Sequence, residues 1–269
     1  MIDWFQAIVL AMLQGLTEFL PISSSAHLVI PSLILNWPDQ GLAFDVAVHV
    51  GTLLAVVGYY RSDLLQITSA WTSSVAGGPA SDDSRLAWYI VCATVPAGLV
   101  GLLARDYIAA EFRSLPVIAS TTLIFGLLLG VADRRSSANE TSGVTLSLLI
   151  ALLIGLAQAV ALIPGVSRSG VTITAGLLMG LPRQAAARFS FLLSIPIIAS
   201  AGALKSWDLY LTAIDVNWPM LAVGVLVSGV TAYLCIAWFL RLLDRVGMMP
   251  FVYYRIALAL GLYLLWLTQ

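Results

Sequence analysis

Long apolar runs, separated by short polar connections, make up most of this chain. Six of them are long enough for membrane-crossing helices: residues 42–60, 86–104, 116–132, 186–204, 219–240 and 250–268. The chain is 60% hydrophobic and 10% charged, with a mean hydropathy of +0.95. These values predict a polytopic, all-α membrane protein with about six full spans. The net charge of −1 gives no indication of nucleic-acid binding.

Two further apolar runs are interrupted by polar residues. In residues 4–35, Pro21 and the serines at 23–25 should end or kink the helix. The second run, residues 144–163, leads into PGVSRSGVT at 164–172. Broken, polar backbone at membrane depth is tolerated only against protein or a water-filled cavity. Both segments are therefore predicted to be re-entrant hairpins built from broken helices.

The two interrupted runs resemble each other when the chain is shifted by 144 residues. The shift pairs one glutamine and two serines of each run: Gln14 with Gln158, Ser23 with Ser167, and Ser25 with Ser169. This similarity predicts a single integral membrane domain over 1–269, with pseudo-repeats 1–143 and 144–269. Transporter-like membrane folds place their sites where two such inverted repeats meet, near the midplane of the bilayer.

The distribution of basic residues predicts the orientation of the chain. Connections 61–85, 133–143 and 241–249, which are predicted loops, hold six basic residues, whereas 105–115 and 205–218 hold three. The positive-inside rule then places the first group on the cytoplasmic side. With that orientation the first hairpin enters the membrane from outside and the second from inside, as an inverted repeat requires.

Arg168 is the main candidate for chemistry. An arginine near the bilayer centre costs ~2.5–3.5 kcal/mol on insertion scales, which favours a functional role. Its guanidinium is a rigid fork of donors that suits a phosphate. The same stretch adds two glycines, which permit a sharp turn or a close approach to a ligand, and three hydroxyls: Gly165 and Gly170, then Ser167, Ser169 and Thr172. The alternative is a helix break whose arginine reaches the interface.

The first broken segment carries a second polar group. Gln14 and Glu18 are four residues apart and share one helix face. A glutamate in an apolar helix is costly to insert, which favours a function. His27 is a candidate ligand or base, with a structural histidine as the alternative. Ser24 and Ser25 are either site residues or helix breakers that bond to the backbone.

Three motifs resemble one known family. QGLTE at 14–18 resembles the (E/Q)xxxE motif of the BacA-type undecaprenyl-diphosphate phosphatases, and PISSSAH at 21–27 its adjoining serine–histidine element. PGVSRSGVT at 164–172 resembles the family's PGxSRSxxT motif. The resemblance covers nearly the whole chain. It implies an enzyme of the bacterial cytoplasmic membrane that removes the terminal phosphate of a C55 isoprenyl diphosphate. This reaction recycles the lipid carrier for cell-wall synthesis, and overproduction is associated with bacitracin resistance.

The resemblance also implies roles for individual residues. Four would be catalytic: Glu18, Ser23, His27 and Arg168. Eight would bind the substrate: Gln14, Ser24, Ser25, Ser167, Ser169, Thr172, Gly165 and Gly170. Glu18, with Gln14, would handle the diphosphate or a divalent cation, Mg²⁺ or Ca²⁺. Gln14 is the neutral variant of its motif position, so this chain lacks one carboxylate of a two-carboxylate metal clamp.

The mechanism and the function each keep an alternative. Ser23 is the preferred nucleophile beside His27, giving a phosphoseryl intermediate, but Ser24 and Ser25 are not excluded. The rival route is attack by water, with His27 or Glu18 as base.

The alternative function is a transporter or flippase of polyprenyl phosphate that uses the same pocket. The expected partners are the polyprenyl diphosphate and membrane lipids, and a homodimer stays one alternative. The site is expected to open to the periplasmic side.

Overall fold

A computed structural model describes residues 2–138, 144–212 and 216–268, and these residues are helical with no strand among them. The helices are α1 Trp4–Thr17, α2 Ser24–Leu28, α3 Ile30–Leu35, α4 Gly41–Tyr59, α5 Arg61–Val75, α6 Asp82–Glu111, α7 Leu115–Ala138, α8 Leu148–Val160, α9 Arg168–Leu178, α10 Arg183–Thr212, α11 Trp218–Val246 and α12 Met249–Leu267.

Six of these helices are long and apolar enough to cross a membrane: α4, α6, α7, α10, α11 and α12. They correspond to the six predicted spans, so the expectation of an all-α, multi-pass membrane protein is confirmed. The helices α6 and α10, each 30 residues long, extend beyond the apolar runs that predicted them. Their polar ends continue the helix past the hydrophobic residues, and α6 begins at a capping box formed by Ser81 and Ser84.

The connection 61–85 was predicted to be a loop, and this prediction was wrong for residues 61–75, which form α5. Leu64, Ile67 and Trp71 recur at helical spacing and pack against the core. Asp63 accepts two hydrogen bonds from the guanidinium of Arg188 in α10, at 2.6 and 2.9 Å. A polar composition concealed this amphipathic helix, because its apolar residues form one narrow stripe.

The two interrupted segments fold alike at matching positions. Helices α1 and α8 have 14 and 13 residues, about 20 Å each, which is shorter than a hydrocarbon core of ~30 Å. They begin after the N-caps Asp3 and Ser147, which are 144 residues apart and both extended. The opposite orientation of the two segments in the bilayer stays a prediction, and the repeat boundary at residue 143 lies outside the described residues.

Each short helix packs on a long helix from the other half of the chain: α1 on α11, and α8 on α6. A Cβ at Gly15 would lie 2.6 Å from the carbonyl oxygen of Ser228. A Cβ at Gly155 would lie 2.3 Å from that of Ala93. Small residues allow such close backbone approach between membrane helices. These contacts hold the ends of α1 and α8, where the chain breaks, inside the helix bundle.

Candidate active site

Both helix breaks contain a serine in a strained backbone conformation. Ser23 has φ 73° and Ser167 has φ 71°, a region that residues other than glycine seldom occupy. Such strain persists only where the surroundings fix it, and it concentrates at functional sites. The residues that follow, Ser24 and Arg168, are the first residues of α2 and α9. The same turn therefore presents a hydroxyl in one half and a guanidinium in the other.

Glu18 brings the two breaks together. The Nη2 atom of Arg168 lies 3.4 Å from Glu18 Oε1, although the two residues are 150 positions apart in sequence. The other carboxylate oxygen, Oε2, accepts hydrogen bonds from the Gln14 amide at 2.9 Å and the Ser24 hydroxyl at 3.2 Å. The side chains of Glu18 and Arg168 are only 8% and 13% exposed. The predicted cluster of Gln14, Glu18, Ser24 and Arg168 is therefore formed.

The Arg168 guanidinium keeps part of its donor capacity free. Its Nη1 donates to the carbonyl of Ser190 at 3.1 Å, and its Nη2 also to that of Glu18 at 3.4 Å. Its Cζ lies 5.8 Å from the centre of the Phe19 ring. The buried Nε has no partner among the described residues, and neither has the Gln14 Oε1 atom. An unpaired buried donor and acceptor leave capacity for a polar ligand at this cluster.

The remaining serines of the first break bond to the protein. Ser23 and Ser25 share a hydrogen bond of 3.1 Å between their hydroxyls, and Ser23 is buried. Ser25 also accepts from the backbone N–H of Gly165 at 3.1 Å, which links the first break to the second. Gly165 itself has φ 89°, and a Cβ there would lie 2.1 Å from Thr121 Oγ1. These contacts hold the two breaks together.

The second break has a similar set of bonds. Ser169 donates to the carbonyl of Leu20 at 2.9 Å, and Ser167 accepts from the Gly170 N–H at 3.1 Å. Thr172 donates to the carbonyl of Arg168 at 2.8 Å and shares a 2.7 Å hydrogen bond with Ser190 Oγ. Ser167, Ser169 and Thr172 are buried. Their hydroxyls support the backbone around Arg168 in this structure.

His27 lies apart from the Glu18 cluster in its hydrogen bonds. Its Nδ1 is 2.7 Å from the carbonyl oxygen of Ser23, and its Nε2 is 2.7 Å from the hydroxyl of Tyr254 in α12. Both ring nitrogens therefore have partners, and neither partner is a serine hydroxyl or Glu18. His27 is therefore bonded to the backbone of the strained turn and not to the carboxylate of Glu18.

Arg255 of α12 is fully buried and binds both breaks. Its guanidinium donates to the carbonyls of Pro21 at 3.3 Å, Gly165 at 2.9 Å and Val166 at 3.0 Å. Its Nε donates to the carbonyl of Thr122 in α7 at 3.0 Å. One charged side chain thus supplies the hydrogen bonds that broken backbone cannot obtain from lipid.

A cavity of about 430 Å³ lies beside this cluster, where Gln14 and Ser24 line it, whereas Glu18 and Arg168 are not among the residues that line it. Of the predicted site residues, Gln14, Ser24 and Ser25 line it, together with Pro164 of the second motif. Its lining also includes several charged or polar groups outside the motifs: Asp39, Gln40, Asp45, His49, Arg113 and Lys205. Ser24 is therefore the serine hydroxyl that combines cavity access with a bond to Glu18.

Comparison with known proteins agrees with these motifs. The family model described as bacitracin resistance protein BacA matches residues 7–261. The chain belongs to the BacA family. An undecaprenyl-diphosphatase of Alcanivorax borkumensis is 58% identical over 266 residues, covering 99% of this chain and 100% of the relative. One of Teredinibacter turnerae is 55% identical over 263 residues, covering 97% and 99%. One of Hahella chejuensis is 53% identical over 264 residues, covering 98% of each.

Three residues of this BacA-family site were missed by sequence analysis: Ser190, Tyr254 and Arg255. Arg255 carried a usable signal, since it is a charged residue inside the apolar run 250–268, as unusual there as Arg168 is in its own stretch. Ser190 and Tyr254 carried none, because isolated hydroxyls occur throughout apolar helices. Their roles depend on helices that are distant in sequence.

The bonds of Arg255 generate a stability prediction. We expect Arg255→Lys to lower the free energy of unfolding by about 3 kcal/mol, because an ammonium cannot reach carbonyls on three sides and leaves buried acceptors unsatisfied. Thermal unfolding in detergent measures the change. Arg85→Lys, an exposed arginine at the start of α6, is the matched control and should be neutral. Equal stabilities for the two variants would contradict the assignment.

Proposed function

We propose that this chain hydrolyses undecaprenyl diphosphate to undecaprenyl phosphate and inorganic phosphate. The names of the three relatives support the substrate, and each relative matches over nearly its full length. The observation that carries the proposal is the buried Glu18 carboxylate, held between the Arg168 guanidinium and the hydroxyl of a cavity-lining serine. This arrangement supplies a base, a nucleophile and a fixed positive charge at one place.

Ser24 is the nucleophile that the geometry favours over Ser23. Its hydroxyl already donates to Glu18 Oε2, whereas the Ser23 hydroxyl is buried and bonded to Ser25. The 3.2 Å distance is long for such a bond, but catalytic hydrogen bonds often tighten only when substrate binds. Ser24 Oγ would attack the terminal phosphorus while its proton passes to Glu18. The bridging P–O bond breaks, and undecaprenyl phosphate leaves.

A second step would complete the reaction. Water attacks the phosphoserine, the bond between Ser24 Oγ and phosphorus breaks, and inorganic phosphate leaves while the serine regains a proton. Direct attack by water remains the alternative route. Glu18 is the base in either case, because His27 is engaged by Ser23 and Tyr254 in this geometry.

Arg168 would stabilise the charge that develops on the phosphoryl oxygens. It lies at the N-terminus of α9, where backbone N–H groups and the helix dipole also favour an anion. Its unpaired Nε is a donor already desolvated. Preorganised donors of this kind need no reorganisation during the reaction, which makes them worth more than donors in water.

A divalent cation, Mg²⁺ or Ca²⁺, is proposed as the cofactor. Among the described residues no group of three or more His, Cys, Asp or Glu could hold a metal. The site does offer oxygen donors of the type that these ions prefer, namely Glu18, the unpaired Gln14 Oε1 and Ser24. Mg²⁺ is commonly bound by one or two carboxylates together with substrate phosphates. Such an ion would supply additional positive charge at the diphosphate.

The proposed location is the bacterial cytoplasmic membrane, with the cavity open to the periplasm. Arg113 and Lys205 line the cavity. Arg113 lies in segment 105–115 and Lys205, in α10, begins segment 205–218, and the positive-inside rule assigns both segments to the outer side. The carrier function that the architecture also allowed has no support from the relatives, which are named as diphosphatases. A homodimer stays a prediction.

Phosphate release from C55 diphosphate by the purified protein tests the proposed function. We expect release by the wild type and a loss of more than about 10²-fold in kcat for Arg168→Ala, since one such donor is worth that much. Arg168→Lys should also be poor, because a point charge cannot replace the fork. Arg188→Ala, which removes the partner of Asp63, is the matched control. No release by the wild type, with lipid binding intact, would favour a carrier.

The choice of nucleophile is tested by a pair of serine variants. Ser24→Ala should lower kcat by at least about 10²-fold, because it removes the attacking oxygen. Ser23→Ala should retain more activity, since the Ser23 hydroxyl bonds to Ser25 and to no other described residue. Trapping and mass analysis of the phosphorylated residue gives a direct measurement. The reverse order of activities would restore Ser23 as the nucleophile.

Removal of the cation should suppress the reaction. We expect excess chelator to abolish phosphate release and added Mg²⁺ or Ca²⁺ to restore it. Gln14→Glu adds a carboxylate beside Glu18 and should reduce the cation concentration needed for half-maximal activity. Full activity in excess chelator would remove the metal from the proposal.

A further inference from the structure

The two ring nitrogens of His27 have different partners, which fixes where the ring proton lies. The Nδ1 atom is 2.7 Å from the backbone carbonyl oxygen of Ser23, and a carbonyl only accepts hydrogen bonds. Nδ1 therefore carries a proton. In the neutral imidazole Nε2 is then an acceptor, and the Tyr254 hydroxyl at 2.7 Å donates to it.

The ring of Tyr254 also lies parallel to the imidazole. The two rings are parallel within 3°, with centroids 5.5 Å apart. His27 is 6% exposed, whereas Tyr254 is 46% exposed. The tyrosine thus controls both the rotation of the buried ring and the access of other groups to Nε2. No other described residue bonds to that nitrogen.

The position of Tyr254 is itself fixed by its neighbour in sequence. Arg255 binds the carbonyls of Pro21, Gly165 and Val166 and so anchors α12 to both breaks. This anchoring also fixes the position of Tyr254 along α12 relative to the strained turn at Ser23. This placement is a tertiary feature, since α12 and the first motif are 227 residues apart at the His27–Tyr254 contact.

We propose that Tyr254 is a positioning residue that fixes the orientation and the Nδ1–H tautomer of His27. The proposal rests on the proposed function, in which Glu18 is the base and Ser24 the nucleophile: His27 bonds to the carbonyl of Ser23, directly before Ser24, so its orientation bears on the placement of the nucleophile. Partners that orient a metal-binding histidine through its second nitrogen typically change activity about 10- to 100-fold when removed, and we take the lower end of that range for His27. Without the hydroxyl, Nε2 loses its donor and the imidazole is free to rotate or to change tautomer.

Imidazole ¹⁵N spectra of detergent-solubilised protein test this directly. The chain has two histidines, and His49→Gln assigns the remaining signals to His27. In the wild type we expect a protonated Nδ1 and a hydrogen-bonded, unprotonated Nε2. In Tyr254→Phe, which keeps the ring, the Nε2 signal should shift toward that of an unbonded nitrogen or split between tautomers. The kcat for phosphate release should fall about tenfold with KM within about twofold.

Tyr263→Phe is the matched control. It removes a tyrosine hydroxyl of the same helix that shares a 2.6 Å hydrogen bond with Ser120, away from His27. This variant should leave the His27 spectrum and kcat unchanged. An unchanged kcat in Tyr254→Phe, or an equal loss in both variants, overturns the proposal. A wild type that releases no phosphate refutes the proposed function instead, and the spectra then decide the positioning of His27 alone.

Discussion

Non-helical backbone that is shielded from water must find its hydrogen bonds within the protein, and the buried Arg255 guanidinium meets that requirement at both breaks. Lipid offers no replacement for these donors, so the breaks persist only where α12 reaches them. Ser25 and Ser169 add direct bonds from each break to the other. The two segments are therefore one structural unit, although they come from different halves of the chain.

This structural unit explains why Ser24 and Arg168 both point toward Glu18. The strained turns at Ser23 and Ser167 would relax in an unconstrained chain, yet the surrounding bonds hold them. Each turn directs the next residue toward Glu18, a hydroxyl from Ser24 on one side and a guanidinium from Arg168 on the other. Two turns with the same backbone conformation thus present two chemically different groups at corresponding positions, both in contact with one carboxylate.

The serines of the two breaks fall into two classes according to what their hydroxyls bond. Ser167 and Ser169 are buried and Ser25 is exposed, but each of the three bonds to the backbone of a break, so their role is geometric. Among the serines that the structure describes, Ser24 alone combines a bond to Glu18 with a place on the cavity wall. His27 is bonded to the Ser23 carbonyl within its own motif and to Tyr254 of α12, so its orientation also depends on a group outside the recognised motifs.

The sequence by itself determined the six spans and the two breaks and singled out Glu18 and Arg168 as candidates, because apolar run length and isolated charges are local properties. Helix α5 was not predicted, because a segment with few apolar residues has the composition of a loop even when those residues form one stripe of a helix. Only the tertiary structure decided which hydroxyl bonds to the Glu18 carboxylate. The serines at 23–25 are chemically identical, and the backbone conformation of the turn decides where each hydroxyl points. The tertiary structure alone also showed that Arg255 donates to backbone carbonyls and that Tyr254 bonds to His27, because these contacts join helices that no sequence pattern connects.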